Sequence, residues 1–216
     1  MHLKRQEVPK SWPIYRKGTK YVIRPDADLE AGIPLLVILR DMLNVAQNRK
    51  EAKRAIFLKQ ILVNSKTPKD EKKSVLLFDT ISLIPAKKNY RVNLSERGKF
   101  ELEEINENET GRKIAKVINK KILNGKRVQL NLHDGRNVIS DMKCGINDSV
   151  LINFIEKKIE KCLPLKENSE AVVFAGKHSG KRGDIKILDR EKKIVELETN
   201  DKEKINVLLK QIIVVE

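Results

Sequence analysis

The segment Ala171–Leu188 constrains the fold of this chain more than any other part of the sequence. Two short apolar runs in this segment flank a loop that contains three glycines, Gly176, Gly180 and Gly183. Glycine adopts positive φ angles without steric cost and lets another backbone approach closely. The pattern therefore predicts an antiparallel β-hairpin with a tight, glycine-dependent loop between its strands.

The same loop is rich in groups that can hold phosphate. It contains Lys177, His178, Lys181 and Arg182. Cationic side chains form strong, charge-assisted hydrogen bonds with phosphate oxygens, so we expect these four residues to bind a nucleic-acid backbone. An ordinary surface hairpin with common turn residues is the alternative interpretation.

The charge of the chain also favours a polyanionic partner. The 216 residues carry a net charge of +15 at pH 7, which is typical of nucleic-acid binding. Aromatic residues make up only 4% of the chain, too few for base stacking to be the main binding mode. The charge is uneven, because residues 110–127 contain seven bases and no acid, whereas residues 189–216 contain six bases and seven acids. One surface is therefore expected to bind a polyanion and another is not.

The residue patterns of common catalytic and metal sites are missing from the sequence. Cys144 and Cys162 form no Cys-x-x-Cys pair, and the three histidines share no ligand spacing with them, so we predict no metal and no cofactor. The loop after Gly176 has three residues between its glycines and Arg182 where a phosphate-binding P-loop needs four residues and a Ser or Thr. The His-Asp-Gly-Arg string at 133–136 has no identifiable nucleophile as partner and is better explained as a turn. We therefore predict that the chain is not an enzyme and has no small-molecule substrate.

The sequence also predicts a cytoplasmic protein without a membrane partner. Its longest apolar run, Ile33–Leu39, is far too short to cross a bilayer. The first residues are polar and interrupted by prolines, unlike a secretory signal peptide.

Residues 1–33 are predicted to form a basic, extended N-terminal arm with local turns. Three prolines and a glycine before Gly32 interrupt any sustained periodicity, which is typical of irregular structure. Such an arm becomes ordered in a groove of nucleic acid, and an unstructured terminus is the alternative. Trp12 can dock on the core of the protein, which is favoured, or stack on a base. The candidate RNA-binding residues of the arm are Lys4, Arg5, Lys10, Trp12, Arg16 and Lys17.

Residues 34–89 predict a small module of two helices followed by a small sheet. Apolar residues recur at helical spacing after Pro34, and Asn48 is a suitable cap for the second helix. A cationic face opposite an apolar face would let that helix pack on a core and bind phosphates, whereas a solvated charged face is the alternative. The candidate RNA-binding residues of this module are Arg49, Lys50, Lys53, Arg54 and Asn64.

The rest of the chain is predicted to be rich in β-structure. In the central domain, residues 90–168, we expect a short helix around 103–113, a hairpin at Asn124-Gly125 and a turn at Asp134-Gly135. Cys144 and Ile152 are expected to be buried. Residues 169–216 are expected to form a small SH3-like β-barrel that includes the glycine loop. The fold class is therefore α+β with several modules, and the candidate RNA-binding residues of the central domain are Arg112, Lys113 and Arg136.

Three groups of residues resemble known families. The loop Gly176–Gly183 resembles the KOW motif of ribosomal proteins and transcription elongation factors. Residues 34–89 resemble the small RNA-binding module of ribosomal protein four, tyrosyl-tRNA synthetases and pseudouridine synthases, with signature residues Leu36, Leu39, Ala46, Val63, Asn64, Asp79 and Ile81. The string Leu130–Asn137, together with the arm and the order of the modules, resembles archaeal and eukaryotic small-subunit ribosomal protein four, the four-e family, over essentially the whole chain.

This resemblance implies a structural protein of the small ribosomal subunit that performs no catalysis. Its implied partners are small-subunit rRNA and neighbouring small-subunit ribosomal proteins, with which it contributes to subunit assembly and translation. The alternative is an RNA-binding transcription or translation regulator that uses the KOW hairpin to contact a polymerase or RNA.

Overall fold

A computed structural model describes residues 2–140, 142–200 and 202–215 of the chain. These residues form mostly β-structure, with eighteen strands and two α-helices among them. The helices are α1 (Leu35–Val37), which continues into a π-helical segment (Ile38–Met42), and α2 (Arg49–Phe57). The strands are β1 (Leu3–Lys4), β2 (Tyr21–Val22), β3 (Gly32–Pro34), β4 (Ile61–Val63), β5 (Ser74–Leu76), β6 (Thr80–Leu83), β7 (Lys88–Leu94), β8 (Phe100–Ile105), β9 (Arg112–Ile122), β10 (Val128–Leu132), β11 (Asn137–Ile139), β12 (Ser149–Asn153), β13 (Lys158–Leu163), β14 (Glu170–Val173), β15 (Arg182–Asp189), β16 (Ile194–Thr199), β17 (Lys204–Leu208) and β18 (Ile212–Val214).

The chain divides into two compact units. The first comprises the chain up to Asn93 together with Lys99–Gly111, and the second comprises Leu94–Gly98 together with the chain from Arg112 onward. The predicted arm and the predicted helical module therefore belong to one unit, together with the first part of the predicted central domain, and the rest of the central domain belongs with the C-terminal domain to the other.

The first unit is built around the apolar turn that contains α1. This turn is almost completely buried from Leu35 to Leu39, which explains the apolar spacing after Pro34 in the sequence. Strands β3 and β5 form a two-stranded sheet, and strands β4, β6, β7 and β8 form a four-stranded sheet in that order. The two predicted helices are confirmed, although the first contains only one turn of α-helix before it widens into the π-helical segment.

The N-terminal residues are folded rather than extended, which corrects the prediction of an extended arm. Strand β1 pairs with β2, and between them the guanidinium of Arg5 donates hydrogen bonds to the carbonyl oxygens of Tyr15 and Thr19. Trp12 is only 3% exposed, and its indole Nε1 donates a hydrogen bond to the carbonyl oxygen of Gly32. The residues that interrupt periodicity therefore form turns that the Arg5 and Trp12 side chains hold in place.

The second unit contains two five-stranded antiparallel sheets. In the central sheet the strand order is β11, β10, β9, β12 and β13. The eleven-residue strand β9 serves both halves of this sheet, because Arg112–Lys116 pair with β12 and Val117–Ile122 pair with β10. The hairpin at Asn124-Gly125 and the turn at Asp134-Gly135 are confirmed as the connections on either side of β10, and Cys144 and Ile152 are buried as expected.

The C-terminal sheet has the order β17, β16, β15, β14 and β18, so its two edge strands follow each other in sequence. Only the short helical turn Leu209–Gln211 joins them. A flat five-stranded sheet would separate its edges by roughly 19 Å, whereas a link of this length spans at most about 14 Å. The sheet must therefore curl strongly, as the predicted barrel requires, and it encloses a hydrophobic cluster that includes Val173, Ile185, Leu197 and Ile212.

Two further sequence predictions require correction. The helix expected around 103–113 is absent from these residues, which form the end of β8, a single 3₁₀ turn at Glu107–Glu109 and the start of β9. Pairing with neighbouring strands determines this structure, because β8 is hydrogen-bonded to β7 and the start of β9 to β12. The predicted α+β fold class is confirmed only in part, because the described residues form a mostly β protein with a few short helices.

Candidate nucleic-acid interface

The glycine loop connects β14 to β15, and its glycines are required by the packing of the chain itself. Gly176 and Gly180 have φ angles of +90° and +92°, which favour glycine. A Cβ atom on Gly180 would overlap the carbonyl oxygen of Ser95, and one on Gly183 would overlap that of Glu198. The backbones that approach these two glycines therefore belong to the protein itself and not, as was expected from the sequence, to a bound partner.

The cationic side chains of this loop differ in their availability. Lys177 and Arg182 are exposed, and neither forms an ion pair within the described residues. Lys181 instead forms an ion pair with Glu203, with 2.7 Å between its Nζ and Oε2. The hydrogen bond and charge of Lys181 lower the pKa of the Glu203 carboxyl. His178 is partly exposed beside them, so Lys177 and Arg182 are the charges of the loop that are best placed to meet a phosphate.

Helix α2 presents a cationic face whose N-terminus is well defined. The Asn48 side chain accepts a hydrogen bond from the Glu51 backbone N–H at 3.0 Å, and Glu51 Oε2 accepts one from the Gln47 backbone N–H at 2.7 Å. These two contacts satisfy N–H groups that the helix cannot satisfy itself. Ala52 and Ile56 are buried on the opposite face, so the division into apolar and cationic faces is confirmed.

Two residues of that cationic face, Arg49 and Lys53, share one carboxylate that was not predicted from the sequence. Glu71 is completely buried, its Oε1 accepts a hydrogen bond from Arg49 Nε at 2.7 Å, and Lys53 Nζ lies 3.7 Å from the same oxygen. Burial alone would raise the pKa of Glu71, but its own backbone N–H and the hydrogen bond and charge of Arg49 outweigh this effect, so the pKa is lowered. Glu71 lies in a lysine-rich segment between β4 and β5, and nothing in the sequence around it predicts the contact with Arg49.

The other half of the face is available. Lys50 and Arg54 are both exposed, and within the described part of the chain neither forms an ion pair. They lie four residues apart on the helix and therefore on one side of it. Of the four basic residues predicted on this helix, these two are free to contact a polyanion.

The N-terminal turns expose a further basic loop. Lys4, Lys10, Arg16 and Lys17 are exposed, whereas Arg5 is used to hold the loop closed. Trp12 is buried, which confirms the favoured prediction that it docks on the core and removes it from the candidate RNA-binding residues. Tyr15 is 88% exposed instead, next to Arg16 and Lys17. The signal that could have identified it is an aromatic residue followed directly by two cations, a pattern of single-strand binding surfaces.

Two other predicted residues, Asn64 and Lys113, serve the fold rather than a surface. The amide of Asn64 is buried, where Nδ2 donates to Asp79 Oδ1 at 2.8 Å and Oδ1 accepts from the Thr80 N–H at 3.0 Å. Lys113 is completely buried, with its Nζ 3.2 Å from Asp134 Oδ2. Neither side chain is positioned to reach RNA in this fold, which corrects both assignments.

The Asp134 carboxylate organises the His-Asp-Gly-Arg turn. Arg136 Nε lies 3.5 Å from Asp134 Oδ2, and the Arg136 guanidinium lies 4.2 Å from the centre of the Phe154 ring. Burial alone would raise the pKa of Asp134, but the charge of Lys113 and the Arg136 backbone N–H lower it. Arg112 similarly pairs with Glu160 at 3.0 Å. These basic residues are therefore largely committed to contacts within the protein.

The structure contains no cluster of three or more possible metal ligands among the residues that it describes. Its described helices include none that is both long and apolar enough to cross a membrane.

Comparisons with known proteins identify the family. A family model described as ribosomal family S4e matches residues 86–159, and a model of the RS4NT (NUC023) domain matches residues 1–27. Small ribosomal subunit protein eS4 of Methanocella arvoryzae is 40% identical over 188 residues, which cover 86% of this chain and 80% of the relative. This chain belongs to the eS4 family. The family prediction made from the glycine loop and the Leu130–Asn137 string is thus confirmed.

Two further eS4 proteins agree over most of the chain. The protein of Methanococcus aeolicus is 36% identical over 99% of this chain and 93% of its own length. The crystal structure of 30S ribosomal protein S4e from Thermoplasma acidophilum matches with a TM-score of 0.72 and 26% identity, over 86% of this chain and 95% of that one. A member of the eS4 family is a structural protein of the small ribosomal subunit and not an enzyme, as the sequence predicted.

Proposed function

We propose that this member of the eS4 family binds small-subunit rRNA through separated basic surfaces and thereby contributes to subunit assembly and translation. The observation that carries this proposal is a set of exposed cations that form no ion pair with a carboxylate within the described residues: Lys50, Arg54, Lys177 and Arg182. Neighbouring cations do have carboxylate partners, as Arg49 has Glu71 and Lys181 has Glu203. The fold therefore pairs some of the exposed cations with carboxylates and leaves these four without such a partner among the described residues.

Unneutralised cations on a folded surface favour RNA for a physical reason. Each phosphate contact releases condensed counterions, which makes binding favourable and strongly dependent on salt. A protein with several such surfaces reduces the repulsion between RNA segments that approach each other. Neighbouring ribosomal proteins complete the expected set of partners.

The charge on α2 provides a direct test. We expect the double variant Lys50→Ala/Arg54→Ala to bind purified small-subunit rRNA more weakly, because two phosphate contacts are lost. The slope of log K against log salt concentration should become shallower by roughly 0.7–0.9 for each lost contact. Filter binding at several salt concentrations measures both quantities.

The matched control is the double variant Lys186→Ala/Lys204→Ala. It removes the same charge from side chains that pair with Glu198 and Glu196, at 3.1 and 3.2 Å respectively. This variant should retain the affinity and the slope of the wild type. Equal slopes for the wild type and the α2 variant would show that this helix does not contact phosphate, and cosedimentation with small subunits in high salt would then separate an integral component from a loosely bound regulator.

A further inference from the structure

One face of the central sheet carries two rows of side chains that the register of strands β9, β10 and β11 brings together. Lys121 pairs with Gln129, which pairs with Ile139, and Asn119 pairs with Asn131, which pairs with Asn137. Paired residues of neighbouring strands lie on the same face of a sheet. We call the five polar residues of these rows the amide face: Asn119, Lys121, Gln129, Asn131 and Asn137.

The opposite face of the same strands forms the hydrophobic core. Leu130 and Leu132 are buried there, and Val138 packs against the same cluster. Asn119, Lys121 and Asn137 are exposed, and Gln129 and Asn131 are partly exposed. The amide face is therefore the outer side of the sheet.

The composition of this face is unusual for a strand. Asparagine is depleted in β-strands because it packs poorly on a pleated surface, yet three of the five residues are asparagines. Strands β9, β10 and β11 also contain no carboxylate. Residues that contradict local propensity without a packing benefit are expected at functional sites.

We propose that the amide face binds the minor groove of double-helical rRNA, an inference that rests on the proposed function and adds a surface to it. An amide both donates and accepts hydrogen bonds, as does the 2′-hydroxyl of ribose, and the shallow minor groove of an A-form helix displays rows of these hydroxyls. The three strands span about 10 Å, and Lys121 at the rim supplies a charge for the flanking phosphates.

The chemistry of the face favours RNA over a protein partner. Protein interfaces have an apolar centre, whereas Ile139 at one end of a row is the single apolar member of the two rows. Gln129 Nε2 donates to Asn131 Oδ1 at 2.9 Å, which orients both amides along the sheet before any ligand binds.

The test compares a mixed-sequence RNA duplex with a DNA duplex of the same sequence, measured by fluorescence anisotropy over a range of salt concentrations. We expect the wild type to prefer RNA, and the triple variant Gln129→Ala/Asn131→Ala/Asn137→Ala to lose roughly tenfold or more in RNA affinity, because about three neutral hydrogen bonds are removed. Its DNA affinity and salt slope should remain unchanged, because its charge is unchanged.

The matched control is Asn206→Ala, which removes an exposed amide from β17, where Asn206 pairs with Glu196. This variant should behave as the wild type does, and circular dichroism should show that all the variants are folded. A triple variant that retains the preference for RNA, or that loses RNA and DNA affinity equally, would overturn the inference while leaving the proposed function intact. A wild type without salt-dependent RNA binding would overturn the proposed function itself.

Discussion

At the scale of single residues, Gly180 shows why the loop motif requires glycine at this position. The glycine spacing predicted the hairpin, but the structure supplies the cause: Gly180 has a φ of +92° and lies against the carbonyl oxygen of Ser95. Gly125 has a similar φ of +78°, yet nothing lies within 4 Å of the position of its missing Cβ. Substitutions at these two positions can therefore distinguish the cost of backbone strain from the cost of steric overlap.

We expect Gly180→Ala to destabilise the protein by roughly 2–4 kcal/mol, because it adds steric overlap to backbone strain. Gly125→Ala should cost about 1 kcal/mol, because only the strained φ angle contributes. Urea unfolding of both variants measures the difference. Equal losses would show that the loop around Gly180 relaxes to make room for the added methyl group.

At the scale of an element, β9 shows that basic residues in a sequence are not all surface charges. Residues 110–127 contain seven bases, but Lys113 and Lys116 on β9 are buried. Lys116 Nζ donates hydrogen bonds to the carbonyl oxygens of Leu209 and Ile212, the latter at 2.8 Å. These bonds join the central sheet to the C-terminal sheet of the same unit, so Lys116 is a structural link.

Burial lowers the pKa of Lys116 to about 8 from an ordinary value of 10.5. Between these two values the unfolded chain binds more protons than the folded chain, so the free energy of unfolding rises with pH. We expect the wild type to gain about 2 kcal/mol between roughly pH 7.5 and 9.5, relative to Lys116→Met. Urea unfolding at both pH values measures this gain.

The exposed Lys186 provides the control for that measurement. Lys186→Met should retain the rise in unfolding free energy with pH. Parallel pH profiles for the wild type and Lys116→Met would show that Lys116 does not titrate in this interval.

At the scale of the whole molecule, the net charge of +15 opposes folding when the protein is free of RNA. Like charges on a compact surface repel each other more than they do in an expanded chain. Internal ion pairs such as Arg49–Glu71 and Lys113–Asp134 relieve part of this repulsion. The positive charge that these ion pairs do not neutralise is the charge that a bound polyanion would neutralise.

Salt should therefore have opposite effects on the free protein and on its complex. We expect the Tm of the free protein to rise by a few degrees between about 0.1 and 1 M NaCl, because the Debye length falls from about 10 to about 3 Å. RNA affinity should fall over the same range. Lys50→Ala/Arg54→Ala should show a smaller rise in Tm, and a Tm that is constant or falls with salt would contradict this view of the charge.

Local signals predicted much of the fold. Asn48 capped α2 as expected, the Asn124-Gly125 and Asp134-Gly135 turns formed hairpins, and the glycine loop joined two antiparallel strands. Each of these features depends on the conformational preferences of a few adjacent residues. The helix expected around 103–113 was wrong because pairing with distant strands outweighed the local pattern.

Charge, turn residues and motifs are local properties, so the sequence was sufficient to establish that this chain is basic, rich in β-hairpins and a member of the eS4 family. Which of its basic residues are available depends on the folded structure. Glu71 neutralises Arg49 across 22 positions of sequence, Lys113 is buried against Asp134, and the register of three strands creates the amide face. Burial and ion pairing depend on contacts between distant residues, and the spacing of residues along the chain does not specify those contacts.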